Sequence, residues 1–550
     1  MRILLLTHSF NSLTQRLHVE LRKWGFDVSV EFDINDDVTR EAVALFRPDV
    51  ILASYLRRAI PRDVWERHLC LVVHPGPAGD RGPSALDWAI MRDLPRWGVT
   101  VLQAEAEMDA GPVWAAAEFD MRPAAKSSLY RREVTAAAVR AVRAALERMQ
   151  SGDAVPQRVE GRWNPSMRQS DRAIDWTKDP AADVIRKVRS ADGWPGVRTI
   201  LAQRDVYLFD AHAAPTAQGT PGHLIAHNGR AVCVATVDGG VWIGHLRAAS
   251  AETEHRFKLP AVDVLGDALD TIPQVNTGPE DIVYEEADGV GTLRFSFYNG
   301  AMDTAQCRRL RDAVRAAQQR PIRVLCLAGG EDFWSNGIHL NRIEAAARPA
   351  DESWRNINAM NDLVREIVTN TDQVTVSALG ANGAAGGCFL ALASDFVVAR
   401  EGVILNPHYK NMGNLYGSEY WTYLLPRRVG RARVAAVMGH RLPMGTDEAQ
   451  SLELLDATWS AESYDAELQA FLHARSADGN ALLKDKRMSR ARDEAEKSLD
   501  AYRDEELEHI KLNFYGFDPS YHVARYHFVH KTPHSRTPPY LATHRRIPAG

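Results

Sequence analysis

At 550 residues the chain exceeds what one hydrophobic core can organise, so two or three domains are expected. With 45% apolar and 25% charged residues it has the composition of a soluble globular protein, and 66 basic against 71 acidic residues give a net charge of −5. That balance offers no electrostatic footprint for nucleic acid or an anionic membrane, which leaves small-molecule chemistry as the expectation.

The opening MRILLLTHSF has only a short apolar run and no cleavage-like site, so it reads as a strand rather than a signal peptide. No other apolar run reaches membrane-spanning length, and a cytoplasmic location is expected. From residue 1 short apolar runs alternate with amphipathic segments: RILLLTH, the helical SLTQRLHVELRKWG closed by Gly25, VSVEFD, a second helix, DVILASY and LCLVVHPG. The pattern predicts a doubly wound parallel sheet with crossover helices. No GxGxxG follows the first strand, so a dinucleotide fingerprint is absent.

Across 166–275 the texture changes to short β-like runs, DVYLFDA, GHLIAH and AVCVATVDGGVWIGHL, which predict a small β-barrel-like domain. The stretch AETEHRFKLPAVDVLGDALDTIPQVNTGPED then reads as a linker. IVYEEADGVGTLRFSF, the helical AMDTAQCRRLRDAVRAAQQ and the strand IRVLCLAG open a third unit of α/β type. The predicted architecture is an α/β multidomain chain with domains 1–165, 166–275 and 276–550. The tail HKTPHSRTPPYLATHRRIPAG, whose histidines lack ligand spacing, reads as an extended docking or disordered segment. Cys70, Cys233, Cys307, Cys326 and Cys388 lie in apolar surroundings without CxxC pairing, as buried thiols rather than disulfides or metal ligands.

The motif VVHPGPAGDRGPSALDWAI follows a buried strand. Ligands of open parallel sheets bind at the carboxyl ends of strands, so His74 stands where a reacting group would sit. GVTVLQAEAEMDAGPVW supplies Asp109, able to fix a histidine tautomer and stabilise its charged form. On their own these two residues are matched by a bland alternative, a histidine in a turn. The order and spacing of His-Pro, Arg-Gly, Trp-Ala-Ile, Gly-Val-Thr and Asp-x-Gly-Pro resemble the formyltetrahydrofolate-dependent formyltransferases. RQSDRAIDWTKDPAADVIRKVRSADGWPGV continues the likeness into the C-terminal domain of methionyl-tRNA formyltransferase.

This resemblance implies catalytic roles for His74 and Asp109, with 10-formyltetrahydrofolate as formyl donor. The family also places an oxyanion-stabilising asparagine where this chain has Val72, which has no donor. With a strand order 3-2-1-4, the loop THSFNSLTQ would lie beside His74. Asn11 and Gln15 are then candidate substitutes, against the alternative that they serve the start of the first helix. Arg131 in SSLYRREV and Ser190 in RSADGWPGV are candidates for holding folate or another acceptor, against a solvated helix face.

FYNGAMDTAQ, VLCLAGGEDFWSNGIHL, ANGAAGGCFLALASDFVVA and LLPRRVGRARVAAVMGHRLP resemble the crotonase (enoyl-CoA hydratase/isomerase) superfamily. In that family two peptide N–H groups bear the charge developing on a thioester oxygen. The resemblance implies Ile338 and Gly386 as these donors, Asn299 at the start of the CoA contacts, and coenzyme A as ligand. Counted from Asp395, the two hydratase glutamates fall on Phe389 and Tyr409, so water addition is disfavoured. The stretch LNPHYKNMGNLYGSEYW supplies the remaining ionisable groups His408, Tyr409, Tyr416 and Glu419. Tyr409 is the favoured proton-handling residue and Glu419 its partner, provided the phenol pKa is lowered or a relay serves it. A carboxylate at Glu419 also suits a simple helix N-terminus.

The pairing of both halves resembles the HypX/HoxX family of hydrogenase maturation factors. The resemblance implies formyl transfer from folate to CoA, decarbonylation of formyl-CoA to carbon monoxide, hydrogenase maturation proteins as partners, and a channel between the halves. Two alternatives stand beside it: a formyltransferase fused to an acyl-CoA hydrolase or hydratase, and a non-catalytic carrier of formyl groups or CoA.

Overall fold

The computed structural model describes residues 1–152, 156–249 and 256–546. These form two compact units, Met1–Pro279 with Pro533–Gly550, and Glu280–Thr532.

In the first unit β1 (Arg2–Thr7), β2 (Asp27–Phe32), β3 (Val50–Tyr55) and β4 (Cys70–His74) run parallel in the order β2-β1-β3-β4. β5 (Arg96–Gln103) and β6 (Val113–Asp120) extend the sheet antiparallel. Ile3, Leu4, Leu5 and Leu6 are all buried, which explains why β1 reads as an unbroken apolar run: both faces of the sheet are covered. The order departs from 3-2-1-4. β3 stands between β1 and β4, so the loop after β1 is not the neighbour of the end of β4.

Farther along, an antiparallel sheet runs Leu224–His227, Val232–Thr236, Gly239–Ala248, Arg204–Ala214, Val197–Leu201. The helix Ala181–Ala191 contributes Val184, Ile185 and Val188 to the core on that sheet. The stretch expected as a linker is partly built into the same core. Leu259–Pro260 pairs with Gly239–Ala248, and the short helix Ala261–Leu265 buries Ala261 and Leu265. Its elements are too short to show a period. Residues 250–255 lie outside the described residues.

The second unit carries a sheet of Ile282–Ala287, Val290–Phe295, Val324–Gly329, Val374–Leu379, Phe396–Arg400 and Ala457–Trp459, parallel after its first hairpin. A smaller sheet of Gly383–Ala384, Ile404–Asn406 and Met444–Gly445 sits at the crossing of the segments that carry the chemistry. All five cysteines are buried and free. Among the described residues no helix is long and apolar enough to cross a membrane, and no three His, Cys, Asp or Glu gather as a metal ion would need.

The tail does not belong with 276–550: from Pro533 it clusters with the first unit, where it covers the edge strand β2. Val30 N–H donates to the Leu541 carbonyl (3.0 Å) and Phe32 N–H to Thr537 Oγ1 (2.8 Å). Beneath them Glu31, fully buried, pairs with His544 Nε2 (2.9 Å) and Arg545 Nε (2.6 Å) and accepts from Thr537 Oγ1. Burial alone would raise this carboxyl; the bonds from His544, Thr537 and Arg545 outweigh it and hold Glu31 below its usual range. A depressed carboxylate stabilises the fold above its unfolded value and loses that contribution as pH falls through the folded one. Deleting 533–550 strands Glu31 without these donors. A loss of about 3–5 kcal/mol in the first unit is expected, read from its denaturant midpoint at neutral pH, with a smaller difference in acid.

Candidate functional sites

The first site forms where β4 ends. His74 is buried, and the turn after it is fixed from β5, with Trp97 Nε1 donating to the Pro75 carbonyl and Thr100 Oγ1 to that of Gly76, each at 2.8 Å. A β-carbon on Gly76 would stand 2.4 Å from Asp80 Oδ2 and 2.6 Å from His74 Nε2. Glycine therefore lets the loop fold Asp80 onto the ring, Nε2 to Oδ2 at 2.8 Å. Asp109, in the left-handed region at φ 55°, faces the other nitrogen at 3.6 Å and is anchored by Gly82 N–H at 3.0 Å. Asn164 Nδ2 donates to Asp80 Oδ1 (2.8 Å), beside the pairing of Asp80–Arg81 with Arg162–Trp163. A neutral imidazole offers one N–H to two carboxylates and a protonated one offers two, so the ring can take up a proton and return it.

The other candidates of this half make contacts of their own. Asn11 caps the helix Ser12–Lys23, its Oδ1 accepting from Thr14 N–H and Oγ1, and Gln15 Nε2 donates to the Phe10 carbonyl. The helix-start alternative holds for Asn11, since the strand order that would have carried both to His74 is not the one observed. Arg131 lies half-buried in the π-helical turn Tyr130–Val134. Ser190 is fully buried, with its hydroxyl bonded to the Lys187 carbonyl of its own helix (2.7 Å). Among the described residues no hydrogen bond joins any of these four to His74. Val72 packs at the sheet and leaves the asparagine position without a donor.

In the second unit the turns that carry the Ile338 and Gly386 amides pack against each other. Ala385 adopts φ 48°, ψ −129°, a region that disfavours a β-carbon, and this orients the peptide leading into Gly386, the first residue of the helix Gly386–Leu392. The turn 335–338 runs alongside, bridged from Ser335 to Gly383 and from Ile338 to Met302. A β-carbon on Gly337 would come within 3.3 Å of the Gly386 nitrogen. Among the described residues neither the Ile338 nor the Gly386 N–H has an acceptor. Asn299, left-handed at φ 60°, accepts from Asn336 Nδ2 through its carbonyl (2.9 Å) at the start of that turn.

Glu419 closes the site. A β-carbon on Gly386 would lie 2.1 Å from Glu419 Oε1, so the carboxylate rests directly against the donor residue. Glu419 and Tyr420 are consecutive left-handed residues, φ 62° and 57°, held by Glu419 N–H to Asn361 Oδ1 (2.8 Å) and Tyr420 N–H to Glu506 Oε2 (2.9 Å). Tyr409 Oη donates to Glu419 Oε2 at 2.5 Å, and its ring stacks on the buried Phe389, centroids 5.5 Å apart. Burial pushes the Glu419 carboxyl up to about 7, with Glu506 adding to the rise and the Tyr409 bond opposing it. Burial and Glu419 together push the Tyr409 phenol well above 10. The phenol is raised rather than lowered, so of the two routes open to Tyr409 the contact matches a relay, its hydroxyl bonded to the Glu419 carboxylate. Burial drives His408 down to about 4, hence neutral, while Tyr416 stacks on His509.

Four residues of these sites carried no weight in the sequence reading: Asp80, Asn164, Asn361 and Glu506. Two had a signal. Glu506 shares the buried side of its helix with Leu499, Ile510 and Phe514, and Asn361 lies among buried Met360, Leu363 and Val364; a polar residue in an apolar stripe marks a buried partner.

Residues 166–255 match the family model for the formyl transferase C-terminal domain, and 292–510 match that for enoyl-CoA hydratase/isomerase. The chain is 55% identical to the hydrogenase maturation factor HoxX of Bradyrhizobium diazoefficiens, across 99% of this chain and 97% of that protein. A crystal structure of HypX from Aquifex aeolicus in complex with tetrahydrofolic acid is 46% identical, covers 100% of both chains and superposes with a TM-score of 0.97. Methionyl-tRNA formyltransferase of Geobacter metallireducens is 25% identical over 41% of this chain and 73% of its own length.

Two outcomes follow from the contacts alone. Gly76→Ala must separate His74 from Asp80, at a cost of about 1–3 kcal/mol for the displaced buried groups, visible as a longer Nε2–Oδ2 distance in a crystal structure. Tyr409→Phe removes the donor that favours ionised Glu419. Its carboxylic acid carbonyl band in the infrared should then persist to higher pH than in the parent protein.

Proposed function

The chain belongs to the HypX/HoxX family of hydrogenase maturation factors, and from that membership we propose that it makes carbon monoxide for assembly of a [NiFe]-hydrogenase active site. The formyl group comes from 10-formyltetrahydrofolate, coenzyme A carries it between two reactions, and hydrogenase maturation proteins are the partners that receive the product. The tetrahydrofolic acid bound to the Aquifex aeolicus relative supports folate as the donor for residues 1–279.

At His74 the CoA thiol attacks the formyl carbon on the folate nitrogen. The imidazole takes the thiol proton and returns it to the departing nitrogen, while Asp109 and Asp80 stabilise the charged ring. The C–N bond breaks, a C–S bond forms, and the products are tetrahydrofolate and formyl-CoA. In the second unit the amides of Ile338 and Gly386 hold the thioester oxygen. Glu419 removes the formyl proton, the C–S electron pair leaves with sulfur, and carbon monoxide departs. The protonated Glu419 then returns its proton to the thiolate, which restores CoA and the base. Asn299 contacts CoA at the turn that precedes Ile338.

The observation that carries this reading is a buried carboxylate titrating near neutrality against a free amide donor, where a hydratase would hold water between two glutamates. Here those positions are Phe389 and Tyr409, stacked aromatic rings with the tyrosine hydroxyl turned to Glu419, and a dry pocket protects the thioester from hydrolysis to formate.

The full-length protein, supplied with 10-formyltetrahydrofolate and CoA, is expected to release carbon monoxide that reduced haemoglobin traps. Formate without carbon monoxide would sink the proposal in favour of a formyltransferase–hydrolase. His74→Ala should abolish release from the folate donor while leaving release from synthetic formyl-CoA. Glu419→Gln should lower both by about 10²–10⁴-fold with formyl-CoA still bound.

A further inference from the structure

The geometry points to Glu506 as a positioning residue for Glu419: from the helix Leu499–Tyr515 it fixes the left-handed turn that carries the base and sets a second carboxylate behind it. This inference rests on the reading of Glu419 as the base.

Glu506 is fully buried and spends both oxygens on one short stretch of chain. Oε2 accepts from Ser418 Oγ (3.1 Å) and Tyr420 N–H (2.9 Å); Oε1 accepts from Thr422 N–H (2.8 Å) and Oγ1 (2.6 Å). Ser418 joins the two glutamates directly, since its N–H donates to Glu419 Oε2 at 3.1 Å. One serine thus connects the base to a second carboxylate, and Asn361 braces the same residue from the helix Pro349–Val368.

A plain helix cap would explain the contacts with Tyr420 and Thr422 at the start of the helix Trp421–Val429. It would not explain the link through Ser418, whose hydroxyl reaches Glu506 while its N–H reaches Glu419. Four donors converge on the two Glu506 oxygens, a demand that a carboxylate meets and an amide, with one acceptor oxygen, does not, and this keeps an ionisable group beside the base. Among the described residues no Arg, Lys or His hydrogen-bonds to either glutamate. The titratable groups around the pair are Tyr409, Tyr416 and Tyr420 from the loop and Cys307 from the helix Thr304–Gln318; Arg503 and Arg365 face Tyr420. Burial raises Glu506 to about 7 as it does Glu419, and its charge adds to the rise at the base. The second carboxylate thereby strengthens the first as a proton acceptor, which removal of a formyl proton requires.

The test follows the Glu419 carbonyl band in the infrared, identified by its loss in Glu419→Gln, through a pH titration of the full-length protein. Glu506→Gln is expected to move its midpoint down by about one pH unit, since a like charge has gone. The acid limb of carbon monoxide release from formyl-CoA should shift the same way, because the base stays ionised to lower pH. Thr422→Val, which keeps the glutamate but strips one donor from its ionised form, should shift the midpoint in the same direction by less, and decides the matter if Glu506→Gln does not fold. An unmoved midpoint in a folded variant overturns the inference, whatever happens to the rate. A shifted band in a protein that releases no carbon monoxide leaves the role of Glu506 standing and removes the reading of the site instead.

Discussion

The Glu419 carboxylate rests against the α-carbon of Gly386 with no room for a β-carbon between them, and much of the second unit is arranged to keep it there. The two left-handed residues at 419 and 420, the strained Ala385 and the close approach of Gly337 all serve one requirement. A carboxylate repels the oxygen of a bound carbonyl, yet a base for the attached carbon must stand near it. In the proposed reaction the amides resolve that conflict by taking the oxygen, and burial takes away the water that would otherwise weaken both interactions. Conformational strain in the turns is the cost of holding the three groups together.

The first site uses a related device on another scaffold. Gly76 lets Asp80 reach the His74 ring as Gly386 lets Glu419 reach the donor amide. In each case the missing side chain lets two polar groups meet at a distance that a β-carbon would occupy, and in each the second polar group arrives from a loop braced by a residue far away in sequence, Asn164 in one and Glu506 in the other. The two sites differ in polarity. A histidine between carboxylates suits a proton passed from sulfur to nitrogen, where charge is relayed and returned. A carboxylate in an apolar cage suits a proton taken from carbon, where basicity is the scarce quantity.

Much of this was legible in the sequence because it depends on periodicity and on local words. The covered sheet showed as RILLLTH and LCLVVHPG, and the turns placing His74, Asp109, Ile338 and Gly386 are short-range features of the chain. What escaped depends on long-range pairing. Strand order is set by how crossovers pack, so the parallel runs were evident while the neighbour of β4 was not, and the argument from strand order for Asn11 and Gln15 does not hold. Protonation follows from enclosure, which only the folded chain displays; the pairing of Tyr409 with Glu419 could be expected from the sequence, but not that burial raises the phenol and brings Glu419 to about 7. The tail docks, one of the two readings the sequence left open, but where it docks was not legible: a run of Pro, Arg and His has no period, and only Glu31, distant in sequence, gives it a place.

That tail also sets an order on the making of the molecule. Residues 280–532 are inserted between two parts of the first unit, so on the ribosome the inner unit is complete before the outer one. Until Thr537 and Leu541 have been translated, β2 keeps bare hydrogen-bonding groups along its rim and Glu31 has none of its partners from the tail, the condition in which sheets recruit foreign strands. A chain that stops before residue 537 would display that rim, whereas one that carries the tail covers it with residues that follow the whole of 280–532.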